Sequence, residues 1–104
     1  MIILDRVRMP NQLVMRKVLI EADRIWKNHG KELVVTSGMD GTHSAGSYHY
    51  YGYALDFRSF YFKNDKECEQ VAQELRDVLG KAFYVKYEKV LTGAHIHCHY
   101  IPNL

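Results

Sequence analysis

The sequence predicts an α+β domain in which a small antiparallel sheet packs with two main helices. Two segments carry apolar residues at three- and four-residue steps, which is the spacing of an amphipathic helix. Other segments are rich in β-branched residues or alternate apolar with polar residues, as strands do. The chain has 104 residues with 47% hydrophobic content, which suits one modest core. We therefore expect one domain, residues 1–104.

The first helix is predicted over residues 10–28. Its apolar residues, such as Val18 and Ile25, recur with helical spacing, and Pro10 with Asn11 supplies residues typical of a helix start. Gly30 follows as a stop signal. The next segment, KELVVTS, lies between glycines and is rich in β-branched residues, so it is predicted to be a strand.

A second strand and a second helix follow. The strand is predicted in GYALDFRSF, residues 52–60. Asn64 followed by Glu67 has the form of a capping box, and the apolar face after it ends at Gly80. The second helix is therefore predicted between Asn64 and Gly80.

The carboxy-terminal part of the chain is predicted to be a hairpin with three histidines on one face. Residues 82–90 and 94–101 alternate at period two around a turn near Thr92 and Gly93. Side chains two apart on a strand share a face. The three are His95, His97 and His99. Clustered imidazoles favour a metal site, and the alternative is a solvated strand face that happens to carry histidines.

A second group of candidate ligands lies in the segment of residues 43–58. His49 and Asp56 are seven residues apart, and Gly52 between them allows the chain to fold back. A third ligand from the hairpin would complete a His, Asp, His set and leave the fourth tetrahedral position for water. That donor set, without cysteine, is typical of a catalytic rather than a structural zinc site.

These segments resemble a known family. Residues 49–56 have the form HxxGxAxD and follow Ser47, and residues 95–97 have the form HxH. Together they resemble the two signature motifs of the D-Ala-D-Ala metallopeptidase superfamily. That superfamily includes D,D-carboxypeptidases, D,D-dipeptidases and phage L-alanyl-D-glutamate endopeptidases. The resemblance covers about residues 31–101 and implies a hedgehog/D,D-peptidase-like zinc domain.

The resemblance also implies roles for individual residues. Zinc would be held by His49, Asp56 and His97, with His95 beside the reacting water. His97-Cys98-His99 is also an HxH, but family members usually continue after the second histidine with an apolar, a polar and an aromatic residue, which favours His97 as the ligand.

The general base is the first departure from the family pattern. Many members carry a glutamate three residues before the last ligand, where this chain has Ala94. Glu88 is the nearest acidic residue upstream, and we expect it to be the base ahead of His95. The alternative for Glu88 is an exposed glutamate paired with a lysine.

The substrate-binding residues are the second departure. Many members have an arginine that binds the substrate carboxylate just after the strand that ends, in this chain, with residues 36–38 (TSG). This chain has Met39 at that position. Arg58 or His43 is expected to replace it, with Ser47 at the same site. A surface salt bridge is an equal alternative for Arg58.

The composition limits the classes of binding partner and the cellular location that we expect for this protein. Fourteen basic against 12 acidic residues give a formal charge of +2 without a long Lys/Arg run, so we expect no nucleic-acid partner. The apolar runs are too short for a membrane span or a signal peptide. We expect cytoplasmic synthesis, with action at the cell wall as a phage or prophage product. Cys68 and Cys98 are expected to be free, buried thiols.

The functional hypothesis from the sequence is a zinc-dependent peptidase that hydrolyses peptide bonds of peptidoglycan stem peptides. The sequence does not indicate the bond cut or the oligomeric state. Two alternatives remain at this point: a non-catalytic binding module that keeps the zinc, as the related hedgehog signalling domain does, and a structural domain without metal.

Overall fold

The computed structural model describes residues 1–9, 13–38, 53–90 and 93–101. These residues form two helices and one five-stranded, mostly antiparallel sheet, which confirms the predicted α+β class. The elements in chain order are β1 (Ile2–Ile3), α1 (Val14–Asn28), β2 (Val34–Ser37), β3 (Ala54–Arg58), α2 (Asp65–Leu79), β4 (Phe83–Val90) and β5 (Gly93–Tyr100).

The strands lie in the order β1-β2-β3-β5-β4. β1 pairs with β2 in parallel, and each of the other neighbouring pairs is antiparallel. β1 could not be predicted from the sequence, because two residues are too few to show a period of two. The predicted carboxy-terminal hairpin is confirmed as β4 and β5, which pair from Phe83 with Tyr100 to Val90 with Gly93.

The two helices end as their glycines indicate. Gly30 and Gly80 have φ angles of 74° and 84°, values that glycine adopts without strain. At the start of α2, the Asn64 side chain accepts a hydrogen bond from the Glu67 N–H at 2.9 Å, as the capping box predicts. The Glu67 carboxylate accepts from the Lys63 N–H at 2.8 Å. The predicted start of the first helix, Pro10 and Asn11, lies outside the described residues.

The core lies between the helices and one face of the sheet. Buried side chains from both helices and from the inner strands form one cluster, which includes Trp26, Leu75, Phe57, Ile96 and Cys98. Cys68 and Cys98 are both free and buried, as predicted. No helix in the described ranges has the length and apolar character needed to cross a membrane. The histidines of β5 lie on the opposite face of the sheet.

Candidate metal centre

Three adjacent strands bring the candidate site residues to one face of the sheet. Asp56 on β3 is paired with His97 on β5, which lies between β3 and β4. His95 is paired with Arg58 on one side and with Glu88 of β4 on the other. Residues directly opposite each other in antiparallel strands point to the same face. The register alone therefore gathers an aspartate, a glutamate, an arginine and two histidines.

Asp56 and His97 form the central contact of the site. The Asp56 Oδ1 atom lies 2.9 Å from Nδ1 of His97. The two side chains are only 13% and 14% exposed. Ligand atoms at about 2.0–2.1 Å from a tetrahedral zinc ion are about 3.3 Å apart, and the observed contact of 2.9 Å is a few tenths of an ångström shorter than that spacing.

The third predicted ligand, His49, lies outside the described residues. Among the residues that are described, no group of three or more His, Cys, Asp or Glu side chains is arranged to hold a metal ion. The donor chemistry of Asp56 and His97, one carboxylate and one imidazole, fits two of the three ligands of a catalytic zinc site. His97 as a ligand remains a prediction.

His99 lies on the far side of His97 from Asp56. Its Nδ1 atom is 2.7 Å from Nε2 of His97. The His99 ring also stacks on Tyr84, with centroids 4.8 Å apart and planes 17° apart. In the register, Ala54 rather than Asp56 is opposite His99. Asp56 therefore contacts His97, the histidine that was predicted from the resemblance to be the ligand.

The two candidate bases lie side by side next to this contact. His95 Nε2 is 3.6 Å from Oε1 of Glu88 and 3.9 Å from Oδ1 of Asp56. Glu88 is 34% exposed and His95 is 25% exposed, so both side chains are reachable from solvent. Glu88 lies within β4, where its cross-strand position directs it to the histidine face. Its role as general base stays a prediction.

A cleft of about 400 Å³ opens beside Asp56 and His95. The Arg58 side chain lines the cleft, and its guanidinium carbon lies 5.1 Å from the centre of the Phe60 ring. The remaining lining residues are Leu4, Arg6, Thr36, Ser37, Gly93 and Ala94. The predicted substrate-binding residues His43 and Ser47 lie outside the described part of the chain.

Two residues near the candidate site, Arg6 in the cleft and Tyr84 against His99, were not predicted from the sequence. Arg6 reaches the cleft because β1 adds the amino-terminal segment to the edge of the sheet beside β2. No motif marks this long-range placement. Tyr84 could have been found from the hairpin register, because counting outward from the turn pairs it with His99.

Hydrogen bonds from neighbouring elements position the backbone of β3. The Thr36 hydroxyl donates to the carbonyl of Asp56 at 3.3 Å. On the core side, the Trp26 indole N–H donates to the carbonyl of Arg58 at 3.2 Å. Both contacts restrict the strand that carries the Asp56 carboxylate.

Cys98 separates His97 from His99 in sequence but takes no part in the site. Its side chain points into the core, and burial raises the pKa of its thiol to about 12, with a further contribution from the Asp56 carboxylate. A thiol must ionise to bind zinc. The donors on this face are therefore oxygen and nitrogen atoms.

Comparison of the chain with protein-family models, with curated proteins and with solved structures finds no match.

Proposed function

We propose that the protein is a zinc-dependent peptidase that hydrolyses peptide bonds in peptidoglycan stem peptides. The observation that carries the proposal is the contact of Asp56 Oδ1 with Nδ1 of His97 at 2.9 Å. Glu88 lies next to His95, and the side chains of Asp56 and His95 line the cleft. Asp56, His95 and His97 belong to the motifs that resemble those of D-Ala-D-Ala metallopeptidases, whereas Glu88 lies outside both motifs. Structure and motif therefore support one site.

The proposed ligands are His49, Asp56 and His97. When bound, zinc polarises a scissile carbonyl and lowers the pKa of a water molecule to about 7. Of the two ligands that the structure describes, Asp56 would supply a carboxylate oxygen and His97 would supply Nδ1. The limited exposure of these two side chains reduces competition from bulk water.

Glu88 has the proposed role of moving the proton. Its Oε1 atom would accept a proton from the attacking water and return it to the leaving amine. His95, 3.6 Å from Glu88, would orient that carboxylate and is the alternative base. The guanidinium carbon of Arg58 lies 5.1 Å from the centre of the Phe60 ring, and both residues line the cleft. This guanidinium would bind a carboxylate of the peptide.

The test is zinc content together with hydrolysis of isolated peptidoglycan sacculi. The wild type, purified without added metal, should contain about one zinc per chain and release peptides from the sacculi. His49→Ala should hold little zinc and release no peptide. The control variant is His29→Gln, which removes a histidine that lies at the end of α1, away from the candidate site. It should match the wild type in zinc content and in peptide release.

The outcomes separate the candidate functions. A wild type with one zinc that leaves sacculi intact would favour the non-catalytic binding module. A wild type without zinc would favour the structural domain. Equal zinc in the wild type and His49→Ala would contradict the ligand assignment.

A further inference from the structure

The close contact between His97 and His99 imposes a constraint on their protons. Nε2 of His97 and Nδ1 of His99 lie 2.7 Å apart, which is a hydrogen-bond distance. Two lone pairs would repel at that separation, so one nitrogen must carry a proton and the other must accept it. A neutral imidazole has one N–H, so the choice at this contact fixes the tautomer of both rings.

Without a metal ion, Asp56 decides the direction of this hydrogen bond. An ionised carboxylate only accepts hydrogen bonds, so Nδ1 of His97 donates to Asp56 across 2.9 Å. In the neutral His97 ring, Nε2 then has the lone pair. Nδ1 of His99 must donate to it.

Zinc binding at His97 requires the opposite direction. A nitrogen that binds a metal ion carries no proton, so Nδ1 of His97 must give up its proton and Nε2 must be the N–H. That N–H points at Nδ1 of His99, which has to become an acceptor. Only a side chain that can both donate and accept at that point satisfies both states.

We infer that His99 is a positioning residue that exchanges tautomers with His97 when zinc binds. A proton passes from Nδ1 of His99 to Nε2 of His97, the proton on Nδ1 of His97 leaves, and Nε2 of His99 takes a proton from its surroundings. Both rings stay neutral. Stacking on Tyr84 at 4.8 Å holds the His99 ring in the plane that this exchange needs. The inference rests on the proposed zinc site.

Two substitutions at His99 separate this role from simple packing. Asparagine places an amide near the position of the histidine Nδ1 and can donate through nitrogen or accept through oxygen after a flip. Leucine keeps an apolar side chain without either function. Partners that orient metal-binding histidines typically contribute about 10–100-fold to metal affinity.

We therefore expect His99→Leu to weaken zinc binding by about 10–100-fold, as measured by competition with a chromophoric chelator. His99→Asn should recover most of that loss, and His29→Gln should bind as the wild type does. Thermal unfolding of the zinc-free variants checks that each is folded. Equal zinc affinity in His99→Leu and the wild type would overturn the inference.

Nitrogen-15 NMR of the histidine rings gives a second readout. In the wild type, His97 should change from the Nδ1–H to the Nε2–H tautomer on zinc addition, and His99 should change with it. Direct zinc binding by His99, or an unchanged His99 ring, would overturn the inference. A wild type that shows the exchange but hydrolyses no sacculi would contradict the proposed peptidase while leaving the inference intact.

Discussion

Asp56 is the residue on which the candidate site depends most. Its Oδ1 atom contacts Nδ1 of His97 and lies 3.9 Å from Nε2 of His95. A single carboxylate thus faces both histidines of the HxH motif. Because the Asp56 side chain is only 13% exposed, bulk water has limited access to this contact.

The role of Glu88 leads to a prediction about rate. Glu88→Gln keeps the size of the side chain but cannot accept the proton, so peptide release should fall by about 10²–10⁴-fold while zinc content is unchanged. The acidic limb of the pH–rate profile should also disappear. Glu69→Gln, an exposed glutamate on α2, is the matched control and should keep full activity.

The His95→Ala variant tests the alternative that His95 is the general base. If Glu88→Gln retains activity to within about twofold and His95→Ala is inactive, the base is His95. Loss of zinc from Glu88→Gln would instead show that the carboxylate supports the metal site. Zinc content and rate must therefore be measured on the same preparations.

At the residue scale, alternation along a strand was enough to predict that His95, His97 and His99 share a face. It could not predict which histidine meets Asp56, because that depends on the pairing of β3 with β5, strands far apart in the sequence. Arg6 was missed for the same reason. Its position depends on a parallel pairing between β1 and β2 that no local pattern signals.

At the element scale, His29 joins the end of α1 to α2. Its Nδ1 lies 3.1 Å from a Glu67 oxygen and its Nε2 lies 2.7 Å from a Glu74 oxygen. Ionised carboxylates only accept, so both ring nitrogens must donate and the ring must be protonated. The ring is 12% exposed and lies edge-on to Phe62. It therefore connects the two helices by charge and by packing.

This connection predicts a pH-dependent stability. Burial lowers the pKa of His29, but the hydrogen bonds from its ring to Glu67 and Glu74 together outweigh burial and raise the pKa above 6.5. Stabilisation by a group with a raised folded-state pKa is complete below the unfolded value and is lost as pH rises through the folded value. Lys31 also faces Glu67 and compensates part of its charge when His29 is neutral.

We expect the wild type to lose more unfolding free energy than His29→Gln between about pH 6 and about pH 9, by about 1 kcal/mol. Urea unfolding at the two pH values measures this difference. The subtraction removes the effect of the other histidines, which titrate in both proteins. Parallel pH dependence in the two proteins would contradict a charged His29 bridge.

At the scale of the whole molecule, the core and the candidate site lie on opposite faces of one sheet. The buried cluster joins both helices to the sheet and includes Trp26, Phe57 and Ile96. The site residues are on the other face and contribute little apolar burial. Folding should therefore proceed without zinc, and zinc should add stability to a domain that is already formed.

This separation predicts the effect of a chelator. Removing zinc should lower the melting temperature by about 10–20 °C if free zinc was about 100-fold above its Kd, yet leave a single cooperative transition. Scanning calorimetry with and without chelator measures both features. The His49→Ala variant should show no chelator effect. A chelated wild type without a transition would contradict a core that forms independently of the site.

Much of this architecture could be predicted because the chain is locally consistent. Two helices have clear apolar faces, the Asn64 side chain caps the start of α2 as its spacing indicates, and glycines end both helices. Strand order could not be predicted, because β5 lies between β3 and β4 and only long-range pairing determines that arrangement. The position of the cleft depends on the same order.

The alternation along β5 limits how this site can evolve or be redesigned. Ile96 and Cys98 alternate with the three histidines along β5, and both side chains are fully buried in the core. A shift of the strand by one residue would bury imidazoles in the core and expose those two side chains, so selection for a stable protein forbids it. A ligand can therefore be relocated along β5 only by two residues at a time. A new set of ligands at this site must therefore use positions on β5 that are two residues apart, or must use side chains of the neighbouring strands.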